Sequence, residues 1–400
     1  MNIPTRPEAA HAVPTAPRRA SLIWVVVPLA VLGLAIAWLI SANPLAGFNN
    51  GAPPVEELTF ERTILGPDGL RLLVRAGGSE PMRIAQVQVD DAYWQFTQTP
   101  AGSIERGATA WIEVPFPWVV GEAHAVNVVT NTGATFEHEI AVAVPTPSGG
   151  GASLFSQAML GVFVGVLPVA IGLMFYPALR GIGENGMAFL LALTVGLLAF
   201  LFIDTLEDAF ELAGEAAPLF QGPVMVLLAA VASFLLLMAV GRRGGAPSGL
   251  ALATFIALGI GLHNLGEGLA IGAAFAAGAV SLGTFLVLGF TVHNITEGIG
   301  IAAPILKERP PLWTFAALTL LAGGPAVIGL WIGSLAYAPQ WSALALAIGA
   351  GAILQVIVEV SALLARSSAQ SPRALLRPST VAGLAAGVAF MYAPAMLVKI

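Results

Sequence analysis

The sequence predicts a mainly α-helical membrane protein, in which a small all-β domain separates one transmembrane anchor from an eight-helix transmembrane bundle. Composition is the first observation, because 57% of the 400 residues are hydrophobic and only 10% are charged, against about 25% charged in soluble domains. The second is a series of apolar runs, each about long enough to cross a ~30 Å hydrocarbon layer. The third is the stretch between the first two runs, where short segments of alternating polarity replace the long apolar ones.

The first apolar run, residues 22–41, predicts an uncleaved membrane anchor that follows a cytoplasmic tail of residues 1–21. Its length exceeds the roughly 7–15 apolar residues of a usual signal peptide, and the tail before it is long, basic and rich in proline. A cleaved signal peptide is the alternative interpretation of this run.

Residues 50–145 predict an extracytoplasmic β-sandwich of immunoglobulin-like type with about seven strands. Alternating segments such as 82–89 and 124–130 are separated by turn signals such as Asn131-Thr132-Gly133. Glu137-His138-Glu139 could hold a cation. Neighbouring strand positions point to opposite faces, however, so a solvated polar face is the preferred interpretation.

Residues 146–151, which read Thr-Pro-Ser-Gly-Gly-Gly, predict a linker between the β domain and the bundle, residues 152–400. Orientation follows from lysine and arginine, which are enriched in short cytoplasmic loops. Placing Arg18 and Arg19 in the cytoplasm puts the basic loops after the β domain on the same side, and of the basic residues beyond that domain only Lys399 lies outside. The β domain and the carboxyl terminus are then extracytoplasmic. The predicted spans are 22–41, 153–176, 186–203, 221–241, 250–276, 280–303, 312–335, 341–364 and 379–397.

Two copies of one motif carry the chemistry. They are His263-Asn264-Leu265-Gly266-Glu267-Gly268 and His293-Asn294-Ile295-Thr296-Glu297-Gly298, both within apolar runs. The spacing from His to Glu puts both side chains on one helix face. Ionisable groups at membrane depth cost roughly 2.5–3.5 kcal/mol each, so they normally face a partner, water or an ion. The repetition favours a metal site over a pair of core histidines or interhelical hydrogen bonds.

The expected ligands are the paired imidazoles and carboxylates, joined by the oxygens of Asn264 and Asn294. This donor set suits borderline cations such as Zn²⁺, Fe²⁺, Mn²⁺, Co²⁺ or Cd²⁺. The chain has no cysteine, which excludes disulfides and thiolate ligation. Its net charge of −6 argues against nucleic acid as a partner.

An acidic run closes the third predicted span on its outer side. Asp204, Asp208 and Glu211 are spaced to share one helix face. Asp204 lies deepest and is a predicted ligand, whereas Asp208 and Glu211 are interpreted as entry residues or as a solvated helix end. An acidic entrance would raise the local cation concentration in either case.

The paired motif resembles the fourth and fifth core helices of the Zrt/Irt-like (ZIP) divalent metal transporters. The resemblance covers about residues 152–400 and implies a ZIP-like bundle of eight spans with both core termini outside. It implies that Asp204 occupies a ligand position and that Glu359 is an acidic residue near the cytoplasmic exit. It also implies a central transport site lined by His263, Glu267, His293, Asn294 and Glu297.

Three departures from the ZIP pattern change the expectation for this chain. Gly266 and Thr296 stand where that family often has proline, so the helices must bend by other means. Gly324 precedes Pro325 where a glutamate often completes a second metal, so one strongly bound metal is expected. The loop 241–249 is short and has no histidine.

The expected function is transport of divalent cations, zinc foremost, into the cytoplasm, with no catalytic activity and no cofactor. The expected partners are the cation, the lipid bilayer and, as an open alternative, a second copy of the chain. Two rival interpretations use the same residues: a membrane-embedded zinc hydrolase with Asp204 as base, and a metal-sensing receptor. No His-Glu-x-x-His motif supports the hydrolase, and no recognisable cytoplasmic output module supports the receptor.

Overall fold

The computed structural model of the protein describes residues 23–42, 54–146, 151–276, 280–336, 338–367 and 377–398. It divides into two compact units, Met1–Pro54 and Val55–Ile400. The first unit contributes helix α1 (Ile23–Ala42), which coincides with the predicted anchor. The predicted tail 1–21 and most of the predicted linker 146–151 lie outside the described residues.

The β domain consists of two four-stranded antiparallel sheets with the strand orders β1-β2-β6-β5 and β4-β3-β7-β8. The inner faces of both sheets form one core, in which Leu72, Ile112 and Val128 are fully buried. This arrangement agrees with the predicted β-sandwich, with eight described strands where about seven were expected. The strands are β1 (Leu58–Gly66), β2 (Gly69–Ala76), β3 (Ile84–Val89), β4 (Ala92–Trp94), β5 (Thr97–Thr99), β6 (Thr109–Val114), β7 (His124–Thr130) and β8 (Thr135–Ile140).

The Glu137-His138-Glu139 segment of β8 follows the alternation of a strand. Both glutamates are exposed, whereas His138 is half-buried, accepts or donates a 2.8 Å hydrogen bond with Thr63 Oγ1, and stacks on the Phe60 ring at 4.8 Å. Burial lowers the pKa of His138, which favours its neutral form at pH 7. A packing role accounts for this histidine.

The membrane domain is a bundle of helices arranged around α7, which packs against α8, α9, α10 and α11. Proline stands in the first turn of α6, where a missing N–H costs no helical hydrogen bond. The helices are α2 (Gly151–Gly161), α3 (Leu167–Met174), α4 (Tyr176–Leu179), α5 (Glu184–Glu215), α6 (Gly222–Gly241), α7 (Gly249–Ala276), α8 (Val280–Ala302), α9 (Leu312–Gly323), α10 (Pro325–Ala336), α11 (Pro339–Ser367) and α12 (Pro378–Val398).

Among the described residues, seven helical segments are long and apolar enough to cross a membrane. Two of the nine predicted spans, 22–41 and 379–397, correspond to the shorter apolar segments Val26–Leu39 and Pro378–Tyr392. A multi-pass, mainly helical membrane protein with a β domain is therefore confirmed. The count of nine spans and their sidedness stay predictions.

Two of the helical segments are interrupted at the level of the paired motif. A π-helical turn, Val162–Val166, joins α2 to α3, and α9 gives way to α10 at Gly324-Pro325, because proline cannot donate the next helical hydrogen bond. The interruptions meet one another, since a methyl group on either Gly165 or Gly323 would overlap the other's carbonyl oxygen. Two irregular backbone segments thus lie together inside the bundle, where carbonyl groups can accept side-chain hydrogen bonds.

Candidate metal site

The two copies of the motif converge between α7 and α8. One ligand atom each from His263, Glu267 and His293 lies within 4.8 Å of the others, and all three residues are buried. His263 Nε2 donates to Glu267 Oε1 at 2.9 Å, and His293 Nε2 donates to the same oxygen. The ring centroids of the two histidines are 6.3 Å apart. The predicted imidazole–carboxylate cluster therefore exists, and Glu267 is its centre.

Glu297 lies in the same region but is bonded differently. Its side chain is buried, yet neither carboxylate oxygen has a hydrogen-bond partner among the described residues. The Oδ1 atoms of Asn264 and Asn294 are also buried and lack a partner within that part of the chain. A buried acceptor without a donor costs about 1–3 kcal/mol, and more when it is charged. Four such oxygens beside two imidazoles fit a site that a cation completes.

The two asparagines are held by the interrupted helices. Asn264 Nδ2 donates to the Ala322 carbonyl oxygen at 3.0 Å, just before α9 ends, and Asn294 Nδ2 donates to the Val164 carbonyl oxygen at 3.0 Å, inside the π-helical turn. Because each amide group is anchored through its nitrogen, its oxygen is free to face away from that contact. The irregular backbone thus orients two oxygen donors.

The contacts of the two motif helices repeat each other. A methyl group on Gly268 would overlap the Ala326 carbonyl oxygen, and one on Gly298 would overlap that of Val169. These glycines end the two motifs, so α7 approaches α10 as α8 approaches α3. The residues contacted by the two motifs also correspond. Ala322 and Val164 accept from the two asparagines, and Ala326 and Val169 face the two glycines. The second pair is four residues further along in one segment and five in the other, because the π-helical turn contains one extra residue.

Thr205 is a site residue that sequence reasoning missed. Its Oγ1 lies 3.2 Å from His263 Nδ1 and it is buried. A ligating histidine normally bonds its second ring nitrogen to such a partner, which fixes the tautomer and the ring orientation. The available signal was helical spacing, because Thr205 is the polar member of the buried α5 face formed by Leu201, Thr205, Ala209 and Ala213.

The acidic run lies outside the cluster rather than within it. Asp204 is half-buried, and Asp208 and Glu211 are exposed. All three line a cavity of about 810 Å³ whose lining also includes His293. The structure thus places the predicted ligand Asp204 at the approach to the cluster, on the same cavity as the predicted entry residues.

Glu359 is placed at the other end of the bundle, on α11. One of its oxygens accepts a 2.7 Å hydrogen bond from Arg242 Nε, and the second oxygen has no partner among the described residues. Gln355, one turn earlier on the same helix, is buried and leaves both polar atoms unpaired within the described chain. The predicted exit residue therefore belongs to a buried polar patch that Arg242 caps.

The donor set of the cluster has a formal charge that a divalent cation would balance. With both glutamates ionised and both imidazoles neutral, that charge is −2, and uncompensated charge is costly in a region with little water. Imidazole and oxygen donors without thiolate suit Zn²⁺, Mn²⁺ or Fe²⁺ rather than Cu⁺.

The chain matches no protein-family profile and no curated protein sequence.

Proposed function

We propose that this protein carries divalent metal cations, zinc foremost, across its membrane into the cytoplasm, as its resemblance to the ZIP family implies. The observation that supports this most is the buried cluster of His263, Glu267 and His293, flanked by the unpartnered carboxylate of Glu297. Both copies of the motif contribute to one centre. A purely structural role would leave a buried carboxylate without compensation.

The cation's path follows the polar groups of the bundle. It enters through the acidic cavity that reaches His293, exchanges its hydration shell for imidazole, carboxylate and amide donors, and leaves past Gln355 and Glu359. Arg242 stands on that exit through its contact with Glu359. A cation bound at Glu359 would compete with the guanidinium for the same carboxylate.

Glu267 has a specific part in this path. It accepts from both histidines and, through Oε2, from Asn294 Nδ2 at 3.2 Å. A cation entering between the imidazoles and Glu267 would take the place of these hydrogen bonds. Each neutral imidazole would offer its unprotonated nitrogen to the cation and keep its proton on the other ring nitrogen. Binding requires neutral imidazoles, so uptake should weaken as pH falls toward the ordinary histidine pKa of about 6.5.

The test is uptake of radioactive zinc into proteoliposomes that contain the wild type or Glu267→Gln, with manganese, iron and cadmium as competitors. We expect saturable uptake in the wild type and a loss of at least about 100-fold in the variant, since a ligand contributes more than its supporting residues do. Glu207→Gln is the matched control, because Glu207 is exposed. Equal uptake by Glu267→Gln and wild type would refute the assignment.

A further inference from the structure

The β domain and the membrane domain share a buried polar contact. Gln340, at the start of α11, donates from Nε2 to Glu61 Oε1 on β1 at 3.0 Å. Both residues are buried, at 3% exposure for Glu61 and 2% for Gln340. Arg75 on β2 completes the network, with its Nε 2.6 Å and its Nη2 3.1 Å from the two Glu61 oxygens. Burying a carboxylate in this way requires such partners, so the contact is specific.

A second contact lies beside the first. The Arg75 guanidinium also stacks over the Phe220 ring at 5.3 Å, just before α6 begins. Nearby, a methyl group on Gly107 of the β domain would lie 3.8 Å from Leu219 Cδ2. The β domain therefore meets the membrane domain at two separate places, before α6 and at the start of α11.

The cavity that reaches His293 is walled by both domains. The β domain contributes residues of β1 and β8, and the membrane domain contributes residues of α5, α7, α8 and α11. Among the described lining residues, six are acidic, and Arg62 is the one arginine or lysine. The acidic residues are Glu61, Glu139, Asp204, Asp208, Glu211 and Glu215.

We infer that the β domain is the outer wall of the cation's entry path, held in place by the Glu61–Arg75–Gln340 network and by Phe220. The inference rests on the proposed function for its meaning, since it assigns the β domain a role in admitting the transported ion. The wall restricts access to His293, and the acidic lining makes that access selective for positive charge.

The absence of native cysteine allows a direct accessibility test. Gly289 lines the cavity one turn before His293, and a methyl group there would have no neighbour within 4 Å. We would measure how fast Gly289→Cys, in the full chain, reacts with two membrane-impermeant methanethiosulfonates. One reagent carries a positive trimethylammonium group, and the other carries a negative sulfonate group. With the docking residues intact, we expect the cationic reagent to react at least about tenfold faster than the sulfonate reagent, because the acidic lining attracts positive charge.

Loss of the contacts between the β domain and the membrane domain should make the cavity beside His293 more accessible. Gln340→Ala combined with Phe220→Ala removes both membrane-side partners and leaves the Glu61–Arg75 pair intact. We expect this change to raise the sulfonate reaction at Gly289→Cys at least tenfold. Val120→Cys, on an exposed β-domain turn, is the matched control and should react equally in both backgrounds. Equal rates at Gly289→Cys with and without the docking residues would overturn the inference.

Cross-linking checks the docking itself. Arg106→Cys, at an exposed position next to Gly107, and Leu219→Cys should be joined within one chain by a short bifunctional methanethiosulfonate reagent, and the Gln340→Ala/Phe220→Ala background should slow this cross-link at least tenfold. Failure to cross-link in the otherwise wild-type chain would also overturn the inference. Neither reaction depends on metal transport, so a protein that carries no zinc could still pass both tests, and a zinc transporter could still fail them.

Discussion

The two copies of the motif have the same residue types at the same spacing, yet their glutamates stand in opposite situations. Glu267 accepts hydrogen bonds from His263, His293 and Asn294. Glu297 is equally buried and has no hydrogen-bond partner among the described residues. We infer from this difference that Glu267 organises the site, whereas the Glu297 carboxylate is left for the proposed cation.

The largest expected effect is on zinc affinity, and it tests whether Glu297 is a direct ligand. Glu297→Gln removes no hydrogen bond that the described chain makes, yet we expect zinc affinity to fall by more than about 100-fold, because the charge on a direct ligand is lost. Isothermal titration of zinc into purified protein measures this change. Unchanged affinity would mean that the partnerless carboxylate is not a ligand.

The next effect is a contrast in the stability of the metal-free protein. Glu267→Gln should lower the free energy of unfolding by about 1–3 kcal/mol, because an amide can accept at one end only and three donors converge on this side chain. Glu297→Gln should leave that free energy unchanged or raise it by about 1–3 kcal/mol, because an unpaired buried charge disappears. Thermal unfolding in detergent, without metal, compares the two variants.

Zinc provides the control for that comparison. It should raise the unfolding temperature of the wild type, because a ligand that binds only the folded state stabilises it. Both variants should lose most of this rise. Equal destabilisation of the metal-free protein by the two substitutions would remove the distinction between the glutamates.

Thr205 should have a smaller effect, confined to the first motif. Thr205→Val keeps the side-chain shape and removes the partner of His263 Nδ1. Loss of such a supporting contact typically costs 10–100-fold in metal affinity, whereas Thr205→Ser should restore most of it. Zinc titration of the two variants tests this. An equal loss in both would indicate a packing role for Thr205.

The asparagines should differ least. Asn294 donates both to the Val164 carbonyl and to the central carboxylate of Glu267, whereas the Asn264 side chain donates to the Ala322 carbonyl. We therefore expect Asn294→Ala to lower the free energy of unfolding by about 1 kcal/mol more than Asn264→Ala does. Thermal unfolding of the metal-free variants measures the difference. Equal losses would mean that the contact to Glu267 contributes nothing.

The sequence predicted the cluster of His263, Glu267 and His293 because the motif is a short-range pattern within each helix. The one-turn spacing places His263 beside Glu267 in any α-helix, and the repetition indicated that a second helix would join them. It could not distinguish Glu267 from Glu297, because their partners depend on how α7 and α8 are rotated against their neighbours. Asp204 shows the same limit, since the structure places it on the approach cavity.

Long-range contacts were beyond prediction for a similar reason. The π-helical turn that holds Asn294 has no distinct residue pattern, since Val162–Val166 reads as an ordinary apolar helix. Glu61 and Gln340 are 279 residues apart, and neither stands out in its own segment. The β-sandwich was predictable from strand alternation, but its position over the acidic cavity depends on a surface that only the folded chain forms.

The most direct measurement of the central claim is anomalous diffraction at the zinc edge from crystals of the zinc-loaded protein. We predict one strong peak between α7 and α8, within ligand distance of His293 and Glu297. No peak at this place, together with a peak elsewhere in the molecule, would contradict the account.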